Sequence, residues 1–197
     1  LGLVPKTHIP NYGEFYEKRH FCAAPAAAKD VFFAGQHALF GAKLLFRCQS
    51  MPAFTLAAEI CEDLWAPLPP STSHALAGAT VIANLSASDE TVGKAEYRRS
   101  LVSQQSARLL CAYLYADAGY GESTTDMVFS GHNLIAENGA LLAESCPFAE
   151  GYACTELDLE RLLAERCRNT SFVPSAEDYA VVTFSLPVKE IPLTRHI

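Results

Sequence analysis

At 197 residues, half of them apolar and 19% charged, the chain has the makeup of one globular domain able to bury a real core, and two full domains would be a squeeze. A formal net charge of −7, with the basic residues scattered among more numerous acids, argues against a nucleic-acid grip, which wants a basic face. The longest apolar stretches, residues 79–83 and 109–114, fall far short of the roughly 20 residues that span a bilayer, so no membrane role is expected.

The chain opens without Met in the apolar run Leu1-Gly2-Leu3-Val4, which lacks the charged start and cleavage site of a secretory signal and reads as a strand in a piece of a longer protein. Residues 6–21 are rich in Pro, Asn, Gly, Tyr and charge, the composition of an ordered loop of the kind that often carries function. Residues 30–34 and 42–47 predict two short strands separated by a Gly-bearing turn. An apolar strand over 53–60 then runs into Cys61, and Glu62-Asp63-Leu64-Trp65 brings the acids of a helix first turn. A buried strand over 78–85 ends in Ser86-Ala87-Ser88-Asp89.

From 92 to 113, apolar Ala95, Leu101, Val102, Ala107, Leu109 and Leu110 interleave with Lys94, Glu96, Arg98, Arg99 and Arg108, predicting a long amphipathic helix. Residues 113–116 and 126–130 predict strands flanking a Gly-Tyr-Gly loop, and 133–142 a hairpin turning at Asn138-Gly139. A further strand is expected over 152–157, a helix opened by Asp over 158–166, and a Pro-bearing tail from 188 onward. Helices alternating with buried strands and hairpins favour an α/β layered domain with a mixed sheet.

A cysteine that ends a strand and opens a helix is placed for nucleophilic work, because the turn presents the sulfur outside the sheet and the helix N-terminus favours the thiolate. Cys61 stands at such a corner. Cys22, Cys48, Cys111, Cys146, Cys154 and Cys167 are expected to be core thiols; seven cysteines without a CxxC pair fit neither a disulfide framework nor a zinc site. Gly119-Tyr120-Gly121-Glu122-Ser123 lacks the ending and context of a phosphate loop and reads as a turn, and none of the six histidines sits in a pattern pointing to a Cys-His dyad.

The run Glu59-Ile60-Cys61-Glu62-Asp63-Leu64-Trp65 is preceded by Val4-Pro5-Lys6-Thr7-His8-Ile9-Pro10-Asn11-Tyr12-Gly13-Glu14-Phe15-Tyr16-Glu17-Lys18-Arg19. It is followed by Asn84-Leu85-Ser86-Ala87-Ser88, Gly93-Lys94 and Arg98-Arg99. In this order the motifs resemble the nitrilase superfamily, and within it the glutaminase domain of glutamine-dependent NAD synthetases; the similarity extends over nearly the whole chain. The resemblance implies a nitrilase-like α-β-β-α layered sandwich, incomplete at its N-terminus, over residues 1–187, with 188–197 a linker toward a synthetase domain beyond it.

In that family a glutamate is the general base, a lysine stabilises the oxyanion, and a cysteine forms a thioester while ammonia leaves. The resemblance puts Cys61 on the nucleophile and Lys6 on the lysine. The pairing is physically sound, since an ammonium near a thiol lowers its pKa and a preorganised charge near the carbonyl oxygen stabilises the developing oxyanion. The family's base lies well upstream of the lysine, where this chain has only its apolar opening run; Glu14, Glu17 and Glu59 do not occupy its position. The chain alone is therefore expected to be crippled by roughly two to four orders of magnitude in rate.

Tyr12, Glu62, Ser88 and Lys94 match positions that hold the glutamine substrate, although the family often has Arg where Lys94 stands. The plainer alternatives are a core phenol, a helix-start acid, a turn residue and a solvated charge. By the same resemblance no cofactor or metal belongs to this domain, while ATP, magnesium and deamido-NAD bind the synthetase domain of the same polypeptide. A cytoplasmic homo-oligomer is expected. The alternatives are a stand-alone nitrilase-superfamily amidase or carbamoylase, and a catalytically inert nitrilase-like assembly domain.

Overall fold

A computed structural model describes residues 1–119, 121–122, 126–187 and 192–194. Strands β1 (Gly2–Leu3), β2 (Lys29–Phe33) and β3 (Gln36–Phe40) form a small sheet in the order β1-β3-β2. The remaining strands are β4 (Leu44–Cys48), β5 (Thr55–Ile60), β6 (Val81–Ser86), β7 (Ala112–Asp117), β8 (Leu134–Glu137), β9 (Ala140–Glu144) and β10 (Ala180–Phe184). They make a seven-stranded mixed sheet in the order β10-β4-β5-β6-β7-β8-β9. The helices are α1 (Glu62–Trp65), α2 (Pro70–Leu76), α3 (Lys94–Leu109) and α4 (Leu159–Arg168).

The mixed α/β layering expected from the sequence is present. Buried positions alternate along β5 (Thr55, Ala57, Glu59), as a strand with one face against helices requires. The main core joins Leu45, Ala57 and Ile82 of the sheet to Leu64, Ala75 and Val102 of α1, α2 and α3. Strands β5, β6 and β7 are mutually parallel, so their carboxyl ends open at one end of the sheet, the place where open α/β sheets bind ligands.

The opposite end is closed by α4. Its Leu162 packs on Val81 and Ala112, at the starts of β6 and β7. Arg166 donates to the carbonyls of Leu109 at 3.1 Å, Leu110 at 2.9 Å, Ala75 at 3.4 Å and Ala79 at 2.7 Å. A cation there suits carbonyls gathered at and just beyond the C-termini of α2 and α3. Asp158 caps α4, its carboxylate accepting from the Arg161 backbone N–H at 3.0 Å.

Several boundaries differ from the expectation. The stretch read as two strands holds three, because Ala34 and Gly35 both take positive φ and make a tight hairpin of β2 with Gln36–Phe40. The helix expected over 92–113 ends at Leu109, where Leu110 turns left-handed (φ 46) and releases the chain into β7. Helix α2 is unannounced by apolar period, being Pro70-Ser71-Thr72-Ser73-His74-Ala75-Leu76. Residues 126–130 contribute only an isolated bridge from Phe129 to Asp89, and 152–157 form no ladder, since β9 already closes that edge. The Asn138-Gly139 hairpin forms as expected, both residues with positive φ.

All seven cysteines are free, but only Cys48 and Cys111 are buried; Cys22, Cys146, Cys154 and Cys167 are exposed, because their apolar neighbourhoods lie in loops or on the outer side of α4. Tyr120 and Ser123 of the glycine loop, and residues 188–191 and 195–197 of the expected linker, lie outside the described residues. No described helix is long and apolar enough to cross a membrane.

Candidate active site

Cys61 sits at the carboxyl end of β5 with φ 51 and ψ −102, a conformation that L residues rarely adopt. A buried polar chain braces it. The Cys61 backbone N–H donates to Asn84 Oδ1 at 3.0 Å, and Asn84 Nδ2 donates to the Tyr113 hydroxyl at 3.2 Å. Tyr113 in turn donates to the Glu59 carboxylate, whose other oxygen accepts the Ser71 N–H at 2.7 Å. Glu59 is 1% exposed, and burial raises its carboxyl above the usual range. It is therefore committed beneath Cys61 rather than facing the cleft.

The Cys61 thiol itself is pushed up by burial, against the downward pull of Lys6, the Ala87 backbone amide and the Ser86 hydroxyl. This corrects the expectation of a thiolate stabilised by a helix N-terminus. Helix α1 is four residues long, a single turn with little dipole, and desolvation wins. A thiol held protonated needs a base to become a nucleophile.

Lys6 lies close enough for its charge to act on Cys61, and its Nζ donates to both Glu17 oxygens at 2.9 and 2.7 Å. Tyr12, Glu62, Ser88 and Lys94 line one cleft of about 480 Å³ together with Cys61. The Tyr12 hydroxyl donates to Glu62 Oε1 at 2.7 Å, and Tyr12 is 59% exposed, so it is not a core phenol. Lys94 pairs with Asp89 and lies 5.4 Å from the Trp65 ring centroid, so it is not a free solvated charge. Ser88 is buried, its backbone N–H donating to Asp117 Oδ1 at 2.9 Å.

Behind Ser88 lies Arg98, fully buried on α3, paired with Glu90 at 2.9 Å and donating to His132 Nδ1 at 2.9 Å. Because a guanidinium only donates, His132 carries its proton on Nε2 and gives it to Glu144 at 2.6 Å. Burial pushes the Asp117 carboxyl up to about 6 despite this arginine.

Sequence reasoning assigned no role to Asp63, Asp89, Arg98 or Trp65. Asp63 and Arg98 had a readable signal only as charged residues inside motifs, and their burial required the fold. Glu14 and Asp89 join Glu62 on the cleft wall, setting three carboxylates against Lys94. Among the described residues no cluster of three or more His, Cys, Asp or Glu could hold a metal ion.

The model of the carbon-nitrogen hydrolase family matches residues 2–166. The glutamine-dependent NAD(+) synthetase of Mycobacterium tuberculosis (strain H37Rv) is 44% identical over 208 residues, and that of Mycobacterium leprae 42%. Both alignments take in 100% of this chain and 31% of the relative, so the chain spans about a third of the length of these relatives. Among solved structures, a glutamine-dependent NAD(+) synthetase from Cytophaga hutchinsonii matches 73% of this chain and 22% of its own, at 30% identity and a TM-score of 0.62. A carbon-nitrogen hydrolase from Helicobacter pylori G27 matches 85% of this chain and 55% of its own at a TM-score of 0.60; at 18% identity it speaks for the fold alone.

Proposed function

Since the chain belongs to the carbon-nitrogen hydrolase family, we propose that it hydrolyses the side-chain amide of glutamine and supplies the ammonia for NAD synthesis elsewhere in a longer polypeptide. The observation that carries this reading is the convergence of Cys61, Tyr12, Glu62, Ser88 and Lys94 on one cleft, with the charge of Lys6 acting on the sulfur.

The cleft's charges match a small zwitterion. Its acids suit an α-ammonium group, and Lys94, drawn away from Asp89, suits an α-carboxylate. With both ends held, the substrate amide is directed toward Cys61. The thiol proton passes to a carboxylate base, which on the family's pattern comes from before Lys6, as the sulfur attacks the amide carbon. The C–S bond forms and the amide oxygen takes up the charge, facing the Lys6 ammonium. Collapse breaks the C–N bond, ammonia leaves with the proton returned by the base, and a thioester remains. Water then adds to the thioester, and breakdown of that second oxyanion yields glutamate and the free thiol.

ATP, magnesium and deamido-NAD are expected to bind outside this chain. A cleft in which carboxylates outnumber ammonium groups is ill matched to polyphosphate.

The test is Cys61→Ala in the full polypeptide. Loss of glutamine-dependent NAD synthesis with ammonia-dependent synthesis retained supports the reading; glutamine-dependent synthesis at the parent rate overturns it. Reaction with a diazo-ketone glutamine analogue, followed by peptide mapping, should label Cys61 and spare the four exposed cysteines. Equal turnover of short aliphatic amides and glutamine would replace this reading with that of a general amidase.

A further inference from the structure

Lys6 and Cys61 lie 55 residues apart, on separate elements, and the oxyanion role requires them to be held in one fixed geometry. Lys6 rides on a loop whose regular structure is the single 3-10 turn Glu17–Arg19, outside any strand or α-helix, so something must fasten that loop to the corner at Cys61. Asp63, in the single turn after Cys61, is 1% exposed. Its Oδ2 accepts the Ile60 backbone N–H at 2.9 Å, in the peptide next to the nucleophile. Its Oδ1 accepts the His8 N–H at 2.7 Å. The Thr7 N–H, in the peptide next to the lysine, donates across both oxygens at 3.1 and 3.2 Å. His8 Nδ1 adds a further contact at 3.1 Å from Oδ1.

We propose that Asp63 is a positioning residue of the reaction, a buried carboxylate that clamps the lysine loop to the nucleophile elbow by accepting backbone N–H groups from both. The inference rests on the roles given above to Lys6 and Cys61. The backbone partners are all donors, so the site demands an acceptor-only group. An asparagine has the same shape but turns an NH₂ toward either the Ile60 side or the His8 side, and opens the clamp on that side. Asp63 is buried and is not among the residues that line the cleft. It acts through where it puts the ammonium.

The experiment is the pH dependence of Cys61 alkylation by iodoacetamide, followed by peptide mapping, in the full polypeptide and its Asp63→Asn, Lys6→Gln and doubly substituted forms. Lys6→Gln should move the alkylation midpoint up by roughly one pH unit, as loss of a neighbouring cation does. Asp63→Asn should move it in the same direction, and the double variant should move little beyond Lys6→Gln, because both changes remove one interaction. Glutamine-dependent kcat should fall by about a hundredfold in Asp63→Asn, the cost of a displacement near 1 Å, with KM changed far less.

The sign decides between roles. Deleting a carboxylate beside Cys61 without moving Lys6 would lower the midpoint, and a lowered or unmoved midpoint in Asp63→Asn overturns the proposal. An unmoved midpoint in Lys6→Gln overturns the lysine's role, and the clamp's purpose with it. Hydrogen exchange in the unsubstituted protein is independent of any variant's folding: the Thr7 and His8 amides should be protected like those of β5, and free exchange overturns the clamp while leaving the Lys6 role standing.

Discussion

The positive φ of Cys61 can be weighed by comparing Cys61→Gly with Cys61→Ala. Both remove the sulfur and its contacts, so that loss cancels between them. Alanine keeps the strain of an L residue at φ 51, ψ −102, which costs about 1–3 kcal/mol, whereas glycine takes that conformation freely. Glycine in turn frees the unfolded chain by about 0.5–1 kcal/mol relative to alanine. The difference leaves Cys61→Gly more stable than Cys61→Ala by about 1 kcal/mol, a midpoint gain of roughly 2–4 °C for a chain of this size. At Ala57, buried in the middle of β5, the same Ala-to-Gly exchange should lose about 1 kcal/mol. Guanidinium unfolding of the three variants, with m-values compared, reads these differences. A glycine that destabilises position 61 as much as it does position 57 would refute the strained elbow.

Lys6→Gln should cut glutamine-dependent turnover by about a hundredfold to a thousandfold while ammonia-dependent synthesis continues, as measured by parallel assays with the two nitrogen sources. Glu62→Gln removes an acid from the cleft wall, and its KM for glutamine should rise by about ten- to a hundredfold with kcat changed less, in steady-state kinetics. Arg98→Met strips the cation from a buried cluster with Glu90 and Asp117 and should lose about 3–5 kcal/mol in denaturant titration. Asp117, whose carboxyl burial lifts to about 6, holds its proton in the folded state after the unfolded chain has released it near 4. Its contribution is therefore present below about pH 4 and lost as pH rises to about 6, so Asp117→Asn should flatten that segment of the Tm-against-pH curve relative to the parent.

Much of the candidate site was legible in the sequence because the corner at Cys61 is local. A strand, a cysteine and an acid pair are adjacent in the chain, and the residues quoted with them, Tyr12, Ser88 and Lys94, do meet in one cleft. What local pattern could not carry was burial. Cys61 was expected to favour its thiolate, yet the single turn of α1 is overruled by desolvation. Arg98 read as the solvated side of an amphipathic helix and is instead wholly enclosed, because Glu90, His132 and Glu144 arrive from the preceding loop and from either side of β8. Helix α2 escaped notice since its Ser, Thr and His side chains carry no apolar period, and β10 because its pairing partner β4 lies far away in sequence.

Arg166 separates the two ends of the domain in time. The cleft draws on residues 12–97, with Asp117 in support, whereas the carbonyls of Ala75, Ala79, Leu109 and Leu110 wait for a guanidinium up to 91 positions later in the chain. During synthesis from the N-terminus, the residues lining the cleft around Cys61 have all been made while these carbonyls still lack their guanidinium. Closure of so long a loop adds entropy only logarithmically, so the delay costs little once α4 has emerged. A nascent chain halted before α4 would thus carry every named cleft residue above an unfinished floor.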